Sequence, residues 1–442
     1  MELDVKNQYW MGKIPDSWET KKIKFVLSQR NENNIPIKST EILSLTAKQG
    51  VIPYSEKEGG GNKPKQDFSA YKLTYPGDIV MNSMNILSGA VGLSKYMGCI
   101  SPVYYALKPK NKTDDVRFFY YVFVNKTFQN SLLGLGNGIL IKQSDNGNFN
   151  TIRMRIPIEK LNNLSIPYPS PSIQQQIADY LDHKTAEIDG LIEKINTEIE
   201  TLKQYQSSVI TQVVTKGLDP NVPMKDSGIE WIGEIPETWK VPKLKHLLLE
   251  PMKYGATESG VSYSDKLPRY IRITDITLDG NLKDIGKLSL TEQQAKNYIL
   301  DDKDILFARS GATVGKTFFY RSFMGKSAFA GYLISAKIDE KKLDPKWVYY
   351  FTQTTSYMTW INNVFSQSTI QNISAEKYSN LPISMTYDIK EQRRIVDYLD
   401  NKVSQIKKII KSKKQQITEL TEYKNSLIFE YVTGKKQVKE AN

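Results

Sequence analysis

The sequence predicts two mixed α/β globular domains in tandem, each followed by a long helix, with the two helices pairing as a coiled coil. Three observations carry this. The second half of the 442-residue chain repeats landmarks of the first in the same order. Each half closes on a segment of heptad-spaced apolar residues, and the stretches before it alternate short β-branched or aromatic runs with turn signals. The chain accordingly divides into a first domain at 1–170, a long helix at 171–217, a linker at 218–229, a second domain at 230–388, a second long helix at 389–434 and a tail at 435–442.

The repeat opens with Trp10-Met-Gly-Lys-Ile-Pro-Asp-Ser-Trp18, which returns as Trp231-Ile-Gly-Glu-Ile-Pro-Glu-Thr-Trp239. Pro76-Gly-Asp-Ile-Val and Ser88-Gly-Ala-Val-Gly92 then face Asp302-Lys-Asp-Ile-Leu and Ser310-Gly-Ala-Thr-Val-Gly315. Asp115 to Tyr121 faces Asp344 to Tyr350, and Glu159 to Leu164 faces Glu376 to Leu381. Between landmarks the copies diverge, since Gly59 to Pro64 and Gly134 to Gly138 have no counterpart, so one scaffold carries two different faces.

Within the domains, Asp304 to Ala308 and Tyr270 to Thr274 read as strands, while Tyr75-Pro-Gly-Asp78 and Asp279-Gly-Asn281 read as turns. One helix per half contains the Tyr-Tyr landmark, and Tyr120, Tyr121, Tyr349 and Tyr350 read first as core residues.

From Pro171 to Val214 no proline occurs and the only glycine is Gly190. Seam positions are Leu181, Ile188, Ile195 and Leu202 in this helix and Leu399, Ile406, Ile410, Ile417 and Leu420 in its copy, the a and d pattern of a coiled coil. Thr185, Gln206, Lys413 and Lys424 are polar residues at seam positions and would fix register. Residues 177–217 carry 4 Lys/Arg and 7 Asp/Glu, whereas 395–435 carry 8 and 5, so an acidic helix would pair with a basic one. Antiparallel pairing would return the chain and relate the halves by a pseudo-twofold axis. About 40 helical residues span roughly 60 Å, more than the ~34 Å turn of B-DNA.

Lys plus Arg is 60 against 48 Asp plus Glu, a net charge of +12, and the two helices together contribute none of it. A polyanion would therefore bind the globular domains. Cys99 is the single cysteine and His183 and His246 the two histidines, too few for a disulfide framework or a Cys/His metal site, so no metal is expected. The start MELDVKNQYW has no basic region followed by an apolar stretch, and no run of about 18 apolar residues occurs, so the reading is a soluble cytoplasmic chain with no membrane partner.

Reading DNA takes Arg on guanine and Asn or Gln on adenine, with Lys and Ser on phosphates. The first half offers Asn82, Ser83 and Ser88, then Lys142, Gln143, Asn146, Asn148, Asn150, Arg153 and Arg155. The second half offers Arg309, Ser310, Thr313 and Lys316, then Gln367, Ser368, Gln371 and Asn372. Ser310 to Thr317 also resembles a phosphate-cradling loop ending in Lys316, but Ser310 replaces its first glycine and Phe318-Phe-Tyr320 reads as a strand where that loop needs a helix. No Asn-Pro-Pro-aromatic, Gly-x-Ser-x-Gly or paired-histidine motif is present, and no catalytic residue is assigned.

With the paired Gly-x-Ile-Pro-x-x-Trp openings, the Ser-Gly-Ala-(Thr)-Val-Gly loops and the Gln-x-x-Ile-x-Asp-Tyr-Leu-Asp helix starts at Gln174 and Gln392, the chain resembles the specificity subunit of type I restriction-modification enzymes over nearly its whole length. The resemblance implies a non-catalytic subunit with two target recognition domains and an antiparallel coiled coil. Each domain would read one half of a split, asymmetric target in double-stranded DNA, and the helices would set the gap. Two methyltransferase subunits would dock on the helices, joined in some complexes by two restriction/translocase subunits. No cofactor is expected in this chain; S-adenosylmethionine, ATP and Mg would lie on the partners. The competing reading is a coiled-coil scaffold whose basic domains grip another acidic partner.

Overall fold

The computed structural model describes residues 10–47, 49–58, 63–136, 142–143, 149–150, 155–277, 280–366 and 372–438. The chain forms two compact units, Met1–Ile195 with Gln415–Asn442, and Asn196–Lys414. Each unit therefore holds one globular domain and part of both long helices.

In the first unit an antiparallel four-stranded sheet runs in the order Leu27–Gln29, Tyr104–Pro109, Ile79–Asn82, Val91–Leu93. The second unit has the same frame in the order Lys253–Tyr254, Leu333–Ala336, Ile305–Ala308, Thr317–Phe319, also antiparallel. Ile79 stands opposite Leu107 and Ile305 opposite Ala336, so the internal repeat is a repeat of topology and register. What is added to the frame differs. The additions in the first unit include the two-stranded ladders Leu43–Thr46 with Gly50–Pro53 and Lys72–Thr74 with Gly98–Ile100. The second carries another four-stranded sheet in which Arg269–Ile271 pairs parallel to Ser327–Phe329. The strand expected through Thr274 stops at Ile271, because the Asp275 carboxylate accepts from the Arg272 N–H at 2.9 Å and turns Ile273–Asp275 into a 3-10 helix.

The Tyr-Tyr landmarks lie on helices Val116–Val124 and Pro345–Phe351, each N-capped by an aspartate, Asp115 or Asp344. Their apolar faces supply Phe118, Phe119 and Phe123 to one core and Trp347, Val348 and Phe351 to the other. The opening tryptophans pack here too, Trp18 edge-on to Phe118 at 6.3 Å and Trp239 against Trp347 at 5.2 Å.

The long helices run Pro171–Lys216 and Ile389–Val432. Proline is tolerated at the start of the first because its missing N–H has no intrahelical partner there. Gly217 and Gly434 end the helices with φ of +78° and +70°, a conformation that favours glycine. Pairing is antiparallel in both units. In the first, Tyr180 meets Tyr431 and Lys424 binds Asp189 at 2.6 Å, so one helix ascends as the other descends. In the second, Glu198 is paired with Lys413 and Tyr205 with Lys402. The lysines at seam positions thus reach acidic residues of the first helix, while Thr185 bonds the Tyr121 hydroxyl. Leu181, Ile188, Leu399 and Ile406 are buried, whereas Ile195, Leu202, Ile410, Ile417 and Leu420 are half-buried, as a two-stranded coil leaves them. Among the described residues no helix is long and apolar enough to cross a membrane, and no group of His, Cys, Asp and Glu has a metal-binding arrangement.

The start of the central strand carries a buried aspartate in both units, with unlike partners. Asp78 accepts from Arg30 Nε at 2.7 Å and Nη2 at 3.1 Å. Asp304 accepts the Asp301 N–H at 2.9 Å, and burial pushes its carboxyl up from 3.8 to about 6 despite that bond. A folded-state value above the unfolded one favours folding below the unfolded value, so this contribution is lost as pH rises from about 4 through about 6. The loss is on the order of 1–3 kcal/mol. Asp304→Asn keeps an acceptor and removes the ionisation, so its denaturation midpoint is expected to stay flatter across that window; an unchanged slope would place the titration elsewhere.

Candidate nucleic-acid interface

In the second unit the central strand ends at Ala308 and delivers Arg309 to the sheet edge. The Arg309 backbone is pinned on both sides, its N–H donating to the Tyr332 carbonyl at 3.0 Å and its carbonyl accepting from the Ile373 N–H at 2.9 Å. Its side chain is fixed as well. Nε donates to Asn372 Oδ1 at 3.1 Å and the guanidinium stacks 4.7 Å from the centroid of the Tyr254 ring. The Tyr254 hydroxyl in turn accepts from the Ala375 N–H at 3.0 Å. Both terminal amino groups of Arg309 are without a partner among the described residues, and Tyr254 and Tyr332 are 42% and 64% exposed beside it. This is an oriented bidentate donor with aromatic surface around it.

The two tyrosines are missed by sequence reasoning. A signal existed in the pairs Tyr254-Gly255 and Gly331-Tyr332: a Cβ on Gly255 would lie 2.3 Å from the Ala330 carbonyl oxygen. Glycine there lets the segments close, which sets both rings next to Arg309.

Lys316 and Ser310 are half-buried on the hairpin that follows. This hairpin returns directly into strand Thr317–Phe319, with Thr317 buried and bonded to Thr352. A strand follows where a phosphate-cradling loop needs a helix N-terminus, so the resemblance of Ser310 to Thr317 to that loop ends at the sequence.

The first unit repeats the backbone and exchanges the side chains. Ser83 takes the place of Arg309, its carbonyl accepting from the Ile156 N–H at 2.9 Å as that of Arg309 does from Ile373. Arg155 thereby takes the place of Asn372 and is exposed. The expectation that Ser83 faces DNA is corrected: it is 1% exposed and its hydroxyl donates to the Val103 carbonyl at 2.8 Å, a bond that holds the strand end to its neighbour. Asn82 closes a turn by accepting from the Met84 N–H, and Ser88 is exposed at the end of the 3-10 turn Ile86–Ser88. Lys142–Gln143 pairs antiparallel with Phe149–Asn150. Asn146, Asn148, Arg153, Gln367, Ser368 and Gln371 lie outside the described residues.

The signature of the long-helix starts does not contribute to this surface. Gln174 is buried, accepting from the Asp115 N–H at 3.0 Å and donating to the Pro169 carbonyl at 2.9 Å. Gln392 does the same with the Asp344 N–H at 3.0 Å and the Lys342 and Thr386 carbonyls. Asp182 accepts from Tyr121 and Arg117, and Asp400 from Tyr350 and Lys346. Burial and the neighbouring carboxylate push the Tyr121 and Tyr350 hydroxyls well above the ordinary tyrosine range, so both remain donors. These motifs lock each domain to a long helix.

A duplicated frame with two unlike edges, each joined to antiparallel long helices, is the architecture of the chain. The model of the type I restriction modification DNA specificity domain matches twice, at residues 15–201 and 232–419, and the chain belongs to that family. It is 23% identical over 470 residues to the type I restriction enzyme MjaVIII specificity subunit of Methanocaldococcus jannaschii, covering 97% of this chain and 95% of that protein. It is likewise 23% identical over 447 residues to the putative MjaX specificity subunit of the same organism, covering 97% and 96%. A chain solved in work on complex assembly and conformational transition of the type I R-M system superposes with a TM-score of 0.67 at 14% identity, covering 95% of this chain and 98% of that one. At that identity the likeness shows the fold.

Proposed function

We propose that each domain reads one half of a bipartite, asymmetric site in double-stranded DNA, and that the paired helices set the unread gap and dock two methyltransferase subunits. The observation that carries this is the exchange at the sheet edge, Arg309 held by Asn372 in one unit against a buried Ser83 and an exposed Arg155 in the other, on a repeated backbone frame. Two copies of one frame with different donors suit two unlike half-sites. Ser88, Lys142, Gln143, Ser310 and Lys316, with Arg153, Gln367, Ser368 and Gln371, complete the proposed DNA contacts, Lys and Ser serving phosphates. S-adenosylmethionine, and ATP and Mg where restriction/translocase subunits join, belong to the partners in this reading.

Docking of two partners is supported by the helices themselves. The first unit exposes Leu191 and Tyr423, at 45% and 56%, and the second exposes their repeat counterparts Ile409 and Tyr205, both at 47%. Apolar groups kept exposed at matched positions suit two equivalent protein contacts. Tyr423→Ser is expected to remove one methyltransferase copy from the complex and Tyr205→Ser with Tyr423→Ser both, read by native mass spectrometry; full occupancy in the double variant would move the docking surface elsewhere.

The decisive experiment coexpresses the chain with its methyltransferase subunit and maps methylated adenines across the host genome. A split motif with unlike halves and a fixed gap, changed on one side only when residues 20–165 are exchanged, is expected. No new motif from an assembled, cofactor-loaded complex would favour a scaffold with another acidic ligand.

A further inference from the structure

The two copies of the long helix both expose the pairs Leu191/Ile409 and Tyr205/Tyr423 but do not match in charge. In the second unit Lys407, Lys408 and Lys411 line a shallow groove with Tyr350, Asp400 and Ser404, on one flank of the second helix. Residues four apart on a helix stack about 6 Å apart along one face, so Lys407 and Lys411 continue the line of Asp400 and Ser404. All three lysines are exposed, and among the described residues none has an ion-pair partner. The acid in the groove, Asp400, is already engaged by Lys346 and the Tyr350 hydroxyl, so it does not neutralise them. At the repeat positions in the first helix stand Asp189, Gly190 and Glu193. Asp189 there binds Lys424 at 2.6 Å.

We infer that the Lys407–Lys408–Lys411 stripe binds the sugar-phosphate backbone of duplex DNA in the unread gap between the half-sites. The inference rests on the reading of the domains as half-site readers. Its own support is chemical. DNA between two read segments presents its phosphates whatever its sequence, and unpaired ammonium groups on flexible stems suit phosphates as point charges without selecting a base. An arginine fork held by a carboxamide, as at Arg309, is the opposite design. Because the stripe has no counterpart in the first helix, the grip falls on one side of the gap only.

The test compares the wild-type complex with methyltransferase subunits and the triple variant Lys407→Gln, Lys408→Gln, Lys411→Gln, on a cognate duplex and on one with a changed half-site. The logarithmic salt dependence of affinity is expected to weaken by about 1–3, at roughly 0.9 for each phosphate that is no longer neutralised. The ratio between the two duplexes should stay unchanged, and hydroxyl-radical protection should fade within the gap alone. An unchanged salt slope and footprint overturn the inference. Loss of a methyltransferase copy with DNA affinity per assembled complex unchanged also overturns it, assigning the stripe to a protein partner. If the wild-type complex itself shows no preference for the cognate duplex, the half-site reading fails instead.

Discussion

Gln392→Ala is expected to destabilise the second domain by about 3–5 kcal/mol. The side chain is fully buried and serves three backbone groups, the Asp344 N–H and the carbonyls of Lys342 and Thr386, at 2.7 to 3.0 Å. Alanine leaves these inside without partners, at about 1–3 kcal/mol for each buried group left unpaired. One of them, the Asp344 N–H, sits at the cap of the Tyr-Tyr helix, so loosening it also frees Tyr350 from Asp400. Gln174→Ala removes two such bonds and is expected to cost less, in the first domain. Denaturant titration with amide hydrogen exchange separates the two domains. A loss below about 1 kcal/mol for Gln392→Ala would show that water replaces the amide.

Arg309→Ala is expected to weaken binding of the assembled complex by about 1–3 kcal/mol, roughly 5- to 150-fold, on duplexes carrying the cognate second half-site. Discrimination should relax at one base position there and persist in the other half-site. Arg309→Lys keeps the charge but not the planar fork held by Asn372 and Tyr254, so it should not restore discrimination. Tyr254→Leu, which removes the stacking partner, should soften the same position to a smaller extent. An equal loss on every duplex would reduce Arg309 to a phosphate contact.

How much of this was legible depended on the range over which each signal acts. The long helices were readable because heptad spacing is local and repeats over some forty residues, the span over which both run, Pro171–Lys216 and Ile389–Val432. The duplication was readable as ordered landmarks. What the landmarks do was not, since Gln174 and Asp182 meet Asp115 and Tyr121 across about sixty residues of chain, and no local pattern announces a hydrogen bond over that distance. The interface divided the same way. Arg309 stood out by residue type, but Tyr254 reaches it from a strand two places away in the sheet. Ser83 was misplaced because a serine at the end of a strand reads alike whether its hydroxyl faces water or, as here, a neighbouring carbonyl.

The two openings pack alike. Pro15 and Trp18 lie against Gly434, and the Lys435 ammonium donates to the Lys13 carbonyl at 3.2 Å. Pro236 and Trp239 lie in the same way against Gly217, at the end of the other helix. At Gly217 the covalent chain continues from helix into opening; at Gly434 packing and the Lys435–Lys13 hydrogen bond join them. The same junction between a helix end and an opening is thus made once within each unit. A gene rearranged to begin near residue 221, with residue 442 linked to residue 1, would make the Gly434 junction covalent and leave the Gly217 junction to non-covalent contacts. Such a chain should still assemble and recognise its site, and exchange of whole halves between such genes becomes a route to new pairings of half-sites without redesign of either domain.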